Sequence, residues 1–138
     1  MNLKTLVKLS HHIFDLGSYA FASFNLFKKT IGIIGCGKIG LALVNILNGF
    51  GAKVLVCDPM AGEGPYTLCD LDTLLTQSDV ISLHCPLNEH THHLIDASAF
   101  EKMKDGVMLI NTSRGALVDS KAIIDGLKSR KIGYLGLD

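Results

Sequence analysis

An open, doubly wound parallel α/β sheet of about six strands, layered α/β/α, is the fold this sequence predicts, and three observations predict it. From Thr30 onward, short apolar β-branched runs alternate with stretches of helical period, which is the pattern of βαβ units. Those runs carry no polar face, so each strand has to be covered on both sides, as parallel sheets require. Size and composition agree: 138 residues, 48 % hydrophobic and 19 % charged, with 14 glycines. A chain of that length buries roughly two thirds of the surface its unfolded form exposes, and the composition excludes disorder, collagen and coiled coil.

Taken in order, Leu3, Leu6, Val7, Ser10 and Phe14 share one face at helical spacing, so residues 2 to about 15 read as an amphipathic helix ending near Gly17. Six strands are expected after it: Thr30 to Gly35, Lys53 to Cys57, a weak one at Tyr66 to Cys69, Val80 to Cys85, Val107 to Thr112 and Gly133 to Leu137. Helices are expected at 38–49, 71–77, 96–104 and 120–130, with Asp70, Asp96 and Asp119 placed to cap the last three. Two prolines and two glycines between Pro59 and Pro65 make the second crossover mostly loop.

Thirteen Lys and Arg balance thirteen Asp and Glu. That leaves no positive surplus for nucleic acid or an anionic membrane surface, and any bound anion must be held locally. No stretch approaches the ~20 apolar residues of a membrane span. Lys4 and Lys8 precede apolar residues as in a signal peptide, but His11, His12 and Asp15 interrupt the apolar core, so a cytoplasmic location is the default expectation. Cys36, Cys57, Cys69 and Cys85 include no Cys-x-x-Cys pair and read as small buried thiols in a reducing compartment. His90, His92 and His93 with Cys85 match no common zinc spacing, so no metal is expected. His84, closing the fourth strand, reads as a satisfied strand-end histidine rather than a catalytic one.

The first strand runs into Gly35-Cys36-Gly37-Lys38-Ile39-Gly40, a G-x-G-x-x-G that opens a helix. Gly35 permits the tight turn, Gly37 lets backbone approach a pyrophosphate, and Gly40 lets the helix pack close on the sheet. The helix N-terminus offers unpaired N–H groups and a positive dipole end to the anion. Asp58 ends the second strand at the spacing of about twenty residues where a carboxylate meets an adenosine ribose, and its charge would repel a 2′-phosphate, which favours NAD over NADP. After the fifth strand, Asn111-Thr112-Ser113-Arg114-Gly115 sets a permanent cation at the sheet's carboxyl edge. A guanidinium there can grip a carboxylate and polarise a carbonyl, or it can merely neutralise Asp119 or a helix end; spacing leaves both open.

The segments IGIIGCGKIGLALVNILNGFGAKVLVCDP, SDVISLHCPLNEHTHHLID and GVMLINTSRGALVDSKAIIDGLKSRKIGYLGLD cover nearly all of residues 30–138. They resemble the D-isomer-specific 2-hydroxyacid dehydrogenases, most closely the D-lactate dehydrogenase branch. The resemblance implies a Rossmann-type NAD-binding domain at 30–138, with 1–29 as the interdomain helix and loop leading in from a substrate domain. It implies that Gly35, Gly37, Lys38, Ile39 and Gly40 border the pyrophosphate, that Asp58 takes the adenosine ribose, and that Cys85 and Pro86 line the adenine and ribose side. Thr91 stands where the family often has a polar contact to ribose or phosphate. Thr112, Ser113 and Arg114 would run beneath the nicotinamide, with Arg114 as the substrate-binding catalytic arginine, and Asp138 would contact the carboxamide.

The implied reaction is reduction of pyruvate to D-lactate with NADH, or the same chemistry on another 2-keto or 2-hydroxy acid, by a homodimer in the full-length family. The family's glutamate and proton-donating histidine fall beyond Asp138, and its N-terminal substrate half is not in this sequence, so the 138-residue chain alone is expected to be inactive. The crossover at 59–69 is a few residues shorter than the family's. A non-catalytic NAD-binding module and a remnant without function are the competing expectations.

Overall fold

Apolar side chains on both faces of Thr30–Ile34 (β1) and Lys53–Cys57 (β2) suit strands buried in the middle of a sheet, and the two pair in parallel with Ile31 opposite Val54. The computed structural model describes residues 25–138; the helix expected at 2 to about 15 lies outside them. The remaining strands are Thr67–Leu68 (β3), Val80–Leu83 (β4), Val107–Asn111 (β5) and Ile132–Leu137 (β6). Together they form one parallel sheet in the order β3-β2-β1-β4-β5-β6. The direction in which successive strands are added reverses between β1 and β4, the place where open α/β sheets bind ligands.

The helices are Lys38–Gly49 (α1), Leu71–Gln77 (α2), Ala97–Lys102 (α3) and Ser120–Lys128 (α4). The three expected caps form: the carboxylates of Asp70, Asp96 and Asp119 accept from the backbone N–H groups of Thr73, Ala99 and Lys121. Helix α3 stops short of the expected residue 104 because Met103 turns extended. Helix α4 ends before Arg130, whose φ of +61° lies in the left-handed region. A 3₁₀ turn at Gly115–Leu117, which no periodicity announces, carries the chain from β5 toward α4 and buries Leu117.

The two faces of the sheet are unequally covered. Helices α2, α3 and α4 bring Leu74, Leu75, Phe100 and Ile123 onto Ile34, Leu55, Ile81, Leu83 and Leu109. Each such buried side chain contributes ~1.5–3 kcal/mol of transfer free energy. On the opposite face α1 alone sets Val44 and Leu47 on Ile31, Ile33, Val54 and Val56. The thiols are less buried than expected: only Cys85 is fully buried, Cys36, Cys57 and Cys69 are half-buried, and all four are free.

Asp79 joins the sheet's amino edge to its surroundings. The Thr30 N–H donates to one carboxylate oxygen at 2.9 Å and the Lys104 ammonium to the other at 2.9 Å. Partial burial pushes the Asp79 carboxyl up, but those two donors outweigh it and hold it below the ordinary value. A depressed carboxyl stabilises the fold above its unfolded value of about 3.9, and the contribution vanishes as pH falls through the lower folded value. Asp79→Asn is therefore expected to cost about 1 kcal/mol at pH 7, discounted for solvent screening, and progressively less as pH falls through the depressed folded value. Urea unfolding of both chains across that range measures the difference.

Candidate nucleotide site at the carboxyl edge

Gly35 leaves β1 with φ +89°, and a Cβ there would meet the Cys85 backbone nitrogen at 2.5 Å. Only glycine fits where the turn is wedged between the ends of β2 and β4; the Gly35 N–H still donates to Cys57 O at 3.0 Å. At Gly40 a Cβ would lie 2.4 Å from Gly35 O, so the first turn of α1 sits directly on the strand end. Gly37 differs, since nothing lies within 4 Å of where its Cβ would be. It is the N-cap of α1, with no side-chain cap and no acidic residue in the first turn, whereas α2, α3 and α4 each have an aspartate in that place. The first N–H groups of α1 thus point into open space with the positive end of the helix dipole behind them. That donor set suits a diphosphate.

Asp58, just past β2, turns toward the same loop. One carboxylate oxygen accepts from the Cys36 N–H at 2.6 Å and the other from the Met60 N–H at 2.8 Å. A carboxylate has about four lone-pair positions, so two remain for sugar hydroxyls beside the glycine turn. The Cys36 thiol hydrogen-bonds the Tyr66 hydroxyl, and desolvation raises its pKa above the ordinary value despite that bond.

From β4, His84 continues the ladder by donating its N–H to Ile34 O at 2.7 Å, and its ring Nε2 lies 2.9 Å from the buried Ser82 hydroxyl. Half-burial lowers the imidazole pKa from its usual value. Burial likewise pushes the Cys85 thiol up. Pro86 is exposed. Thr91 spends its hydroxyl within its own loop, donating to Pro86 O at 2.6 Å and accepting from the Asn88 N–H at 2.8 Å. Its role in the structure is to brace the 86–91 loop.

At the end of β5, Asn111 is 2 % exposed and works as a clamp. Its amide nitrogen donates to Arg114 O at 2.8 Å, and its side-chain oxygen accepts from the Ser113 N–H at 3.1 Å. The Ser113 hydroxyl donates to Leu83 O at 3.0 Å, latching this turn to β4. Thr112 and Arg114 are exposed. Among the described residues Arg114 makes no ion pair and donates only to the neighbouring Ser113 O at 3.0 Å. The Asp119 carboxylate is committed to capping α4, so Arg114 does not neutralise it. Asp138 follows β6, its N–H donating to Asn111 O at 3.2 Å.

Gly35 to Gly40, Asp58, Cys85, Pro86, Thr112 to Arg114 and Asp138 therefore stand at the carboxyl ends of β1, β2, β4, β5 and β6, along one edge. Two participants escape sequence reasoning. Met60 offers only a backbone N–H, which no motif records, and Asn111 reads as strand until its buried amide is seen. Among the described residues no three His, Cys, Asp or Glu side chains form a metal-sized group; His92 and His93 stack on each other with centroids 3.9 Å apart. No described helix is long and apolar enough to cross a membrane.

The family model described as "D-isomer specific 2-hydroxyacid dehydrogenase, NAD binding domain" matches residues 7–138. The D-lactate dehydrogenase of Escherichia coli K12 is 53 % identical over 119 residues, covering 83 % of this chain and 36 % of that protein. The apo-structure of the Escherichia coli D-lactate dehydrogenase superposes with a TM-score of 0.85 at 44 % identity, over 98 % of this chain and 46 % of that one. A D-lactate dehydrogenase from Lactobacillus jensenii, solved with NAD+, gives 0.83 at 39 % identity over 96 % and 42 %. The chain thus spans 36–46 % of the length of these relatives.

Proposed function

Since the chain belongs to the D-isomer-specific 2-hydroxyacid dehydrogenases and matches their NAD-binding domain, we propose that it is the cofactor half of a D-lactate dehydrogenase, whose reaction is pyruvate and NADH to D-lactate and NAD. The observation that carries the reading is the uncapped glycine start of α1 with the Asp58 carboxylate hydrogen-bonded to the same loop. In this reading the N–H groups at Gly37, Lys38 and Ile39 hold the diphosphate, and Asp58 accepts from the adenosine ribose. Cys85, Pro86 and Thr91 flank the adenosine side, and Thr112, Ser113 and Asp138 border the nicotinamide. Residues 1–29 lead into the domain at 30–138.

Bound NADH supplies the hydride. Adding it to a 2-keto acid builds negative charge on the carbonyl oxygen. Arg114, with no carboxylate paired to it among the described residues, is placed to bind the substrate carboxylate and to stabilise that oxygen. Its orientation comes from Asn111 and Ser113, which fix the backbone on either side of the turn. The proposal extends to a cytoplasmic homodimer: four free thiols fit a reducing compartment, and Ile39 and Ile46 on α1, with Phe50 just after it, leave an apolar stripe exposed for a second copy.

Fluorescence titration of the full chain with NADH and NADPH tests the cofactor assignment. Saturable binding of NADH, with NADPH much weaker, is expected, and equal affinity for the two or no binding of either would sink it. Asp58→Asn removes the charge while nearly keeping the shape. It is expected to weaken NADH about tenfold, ~1.4 kcal/mol, and to narrow the gap to NADPH because the 2′-phosphate is no longer repelled.

A further inference from the structure

The crossover that follows Asp58 has little regular structure to hold it. Gly62 and Gly64 lie exposed between Pro59 and Pro65, and β3 beyond them is only two residues long. A stretch with two glycines samples many conformations, yet the Asp58 carboxylate at its base has to stand in one place. Tyr66 gathers the loop from its far end. Its hydroxyl donates to Gly62 O at 2.9 Å, and the Gly64 backbone lies so close on the ring that a Cβ there would run into it. Asn48 of α1 adds a tie, its amide donating to Pro65 O at 2.9 Å. With its one proton spent on Gly62, the Tyr66 hydroxyl meets the Cys36 thiol through a lone pair, which makes Cys36 the donor.

We propose that Tyr66 is a positioning residue for the dinucleotide, clasping the crossover to the glycine turn so that Asp58 is already aimed when the adenosine ribose arrives; this rests on the nucleotide reading given above. Cys36 is held from both ends, its N–H on the Asp58 carboxylate at 2.6 Å and its thiol on Tyr66. The loop is held from both ends too, at Asp58 by the Met60 and Ala61 N–H groups at 2.8 and 3.3 Å, and at Gly62 by Tyr66. Asp58, Cys36, Tyr66 and the crossover therefore close a circuit around the ribose carboxylate. The ring also packs with Cys36 and Ala61 on the α1 side of the sheet, but phenylalanine would pack there equally well. What the hydroxyl adds is a bond to a loop carbonyl and another to the second residue of the phosphate turn. A loop ordered in advance does not have to be ordered by the ligand, and that saving appears as affinity.

Titrations of the full 138-residue chain with NADH, and with an NADH analogue whose adenosine ribose lacks both hydroxyls, test this. Tyr66→Phe keeps the ring and is expected to weaken NADH about fivefold, the worth of a neutral hydrogen bond. With the analogue Asp58 has no hydroxyl to accept from, so the same substitution should change affinity by less than about twofold. Cys36→Ala removes the clasp from its other side and should weaken NADH to a similar degree, whereas Cys36→Ser restores an O–H donor and should recover most of the loss. Should Tyr66→Phe melt early, the two Cys36 variants carry the comparison by themselves. Unchanged NADH affinity in Tyr66→Phe and Cys36→Ala overturns the proposal, and so does an equal loss with both nucleotides, which would make Tyr66 a residue of the fold alone. Failure of the unaltered chain to bind NADH is a separate result: it would bring down the nucleotide reading itself, and this inference with it.

Discussion

Gly37→Asp is expected to leave the fold intact, or slightly firmer, while abolishing dinucleotide binding. The backbone at Gly37, φ −68° and ψ −164°, is extended and open to any residue, and no atom lies within 4 Å of the added Cβ. An aspartate there would cap α1 as Asp70, Asp96 and Asp119 cap their helices. Replacing glycine by aspartate at an N-cap is worth a few tenths of a kcal/mol. The same carboxylate would occupy the space left for a diphosphate and repel its charge. NADH affinity should fall by about 100-fold or more, ~2.7 kcal/mol. A melting curve beside an NADH titration reads both halves of the result. Retained affinity would mean that the diphosphate sits elsewhere.

Gly40→Ala should act in the opposite way, through the fold. Alanine is the better helix former by about 1 kcal/mol, yet its Cβ would come within 2.4 Å of Gly35 O. That neighbour is backbone, locked by the Gly35 N–H bond to Cys57 O at 3.0 Å, so no flexible side chain can yield. Helix α1 must lift off the strand end, at a cost of about 1–3 kcal/mol, and the glycine turn moves with it, so NADH binding is lost as well. Gly49→Ala is the control: it lies in the same helix with nothing within 4 Å, and it should be neutral or stabilising by up to ~1 kcal/mol. Chemical denaturation of the three chains distinguishes crowding from propensity. Equal stability of Gly40→Ala and Gly49→Ala would refute the close-approach account.

The two glycines are alike in the motif and opposite in mechanism, which shows how far the residues alone reach. Both were legible as parts of a phosphate-binding turn, because glycine spacing between a strand and a helix is a local pattern. Their separate jobs, room at Gly37 and close packing at Gly40, were legible from the motif as well; what was not is how tight and how open the two places are, because the 2.4 Å approach of a Gly40 Cβ to Gly35 O and the emptiness around Gly37 are properties of packed coordinates. Arg114 is similar. Its place after a strand was readable, but spacing left it free either to pair with Asp119 or to face the site. The structure commits Asp119 to α4 and leaves Arg114 without an ion pair among the described residues.

What the residues determined by themselves was everything governed by short-range physics. That includes five apolar strands and a weak sixth, the helices and the loop between them, three aspartate caps acting two or three residues away, and a glycine turn at the first strand-to-helix junction. Tertiary structure alone decided the contacts that bridge distant positions. Asp58 reaches Cys36 across 22 residues, and Ser113 reaches Leu83 across 30. The buried Asn111 amide holds the Ser113–Arg114 turn, and the described helices crowd one face of the sheet while α1 stands alone on the other. A backbone hydrogen bond within one helical turn depends on a few neighbouring torsions, which residue type controls. A bond across the sheet depends on which strands lie side by side, and that is settled by the crossovers and by the packing of the whole domain.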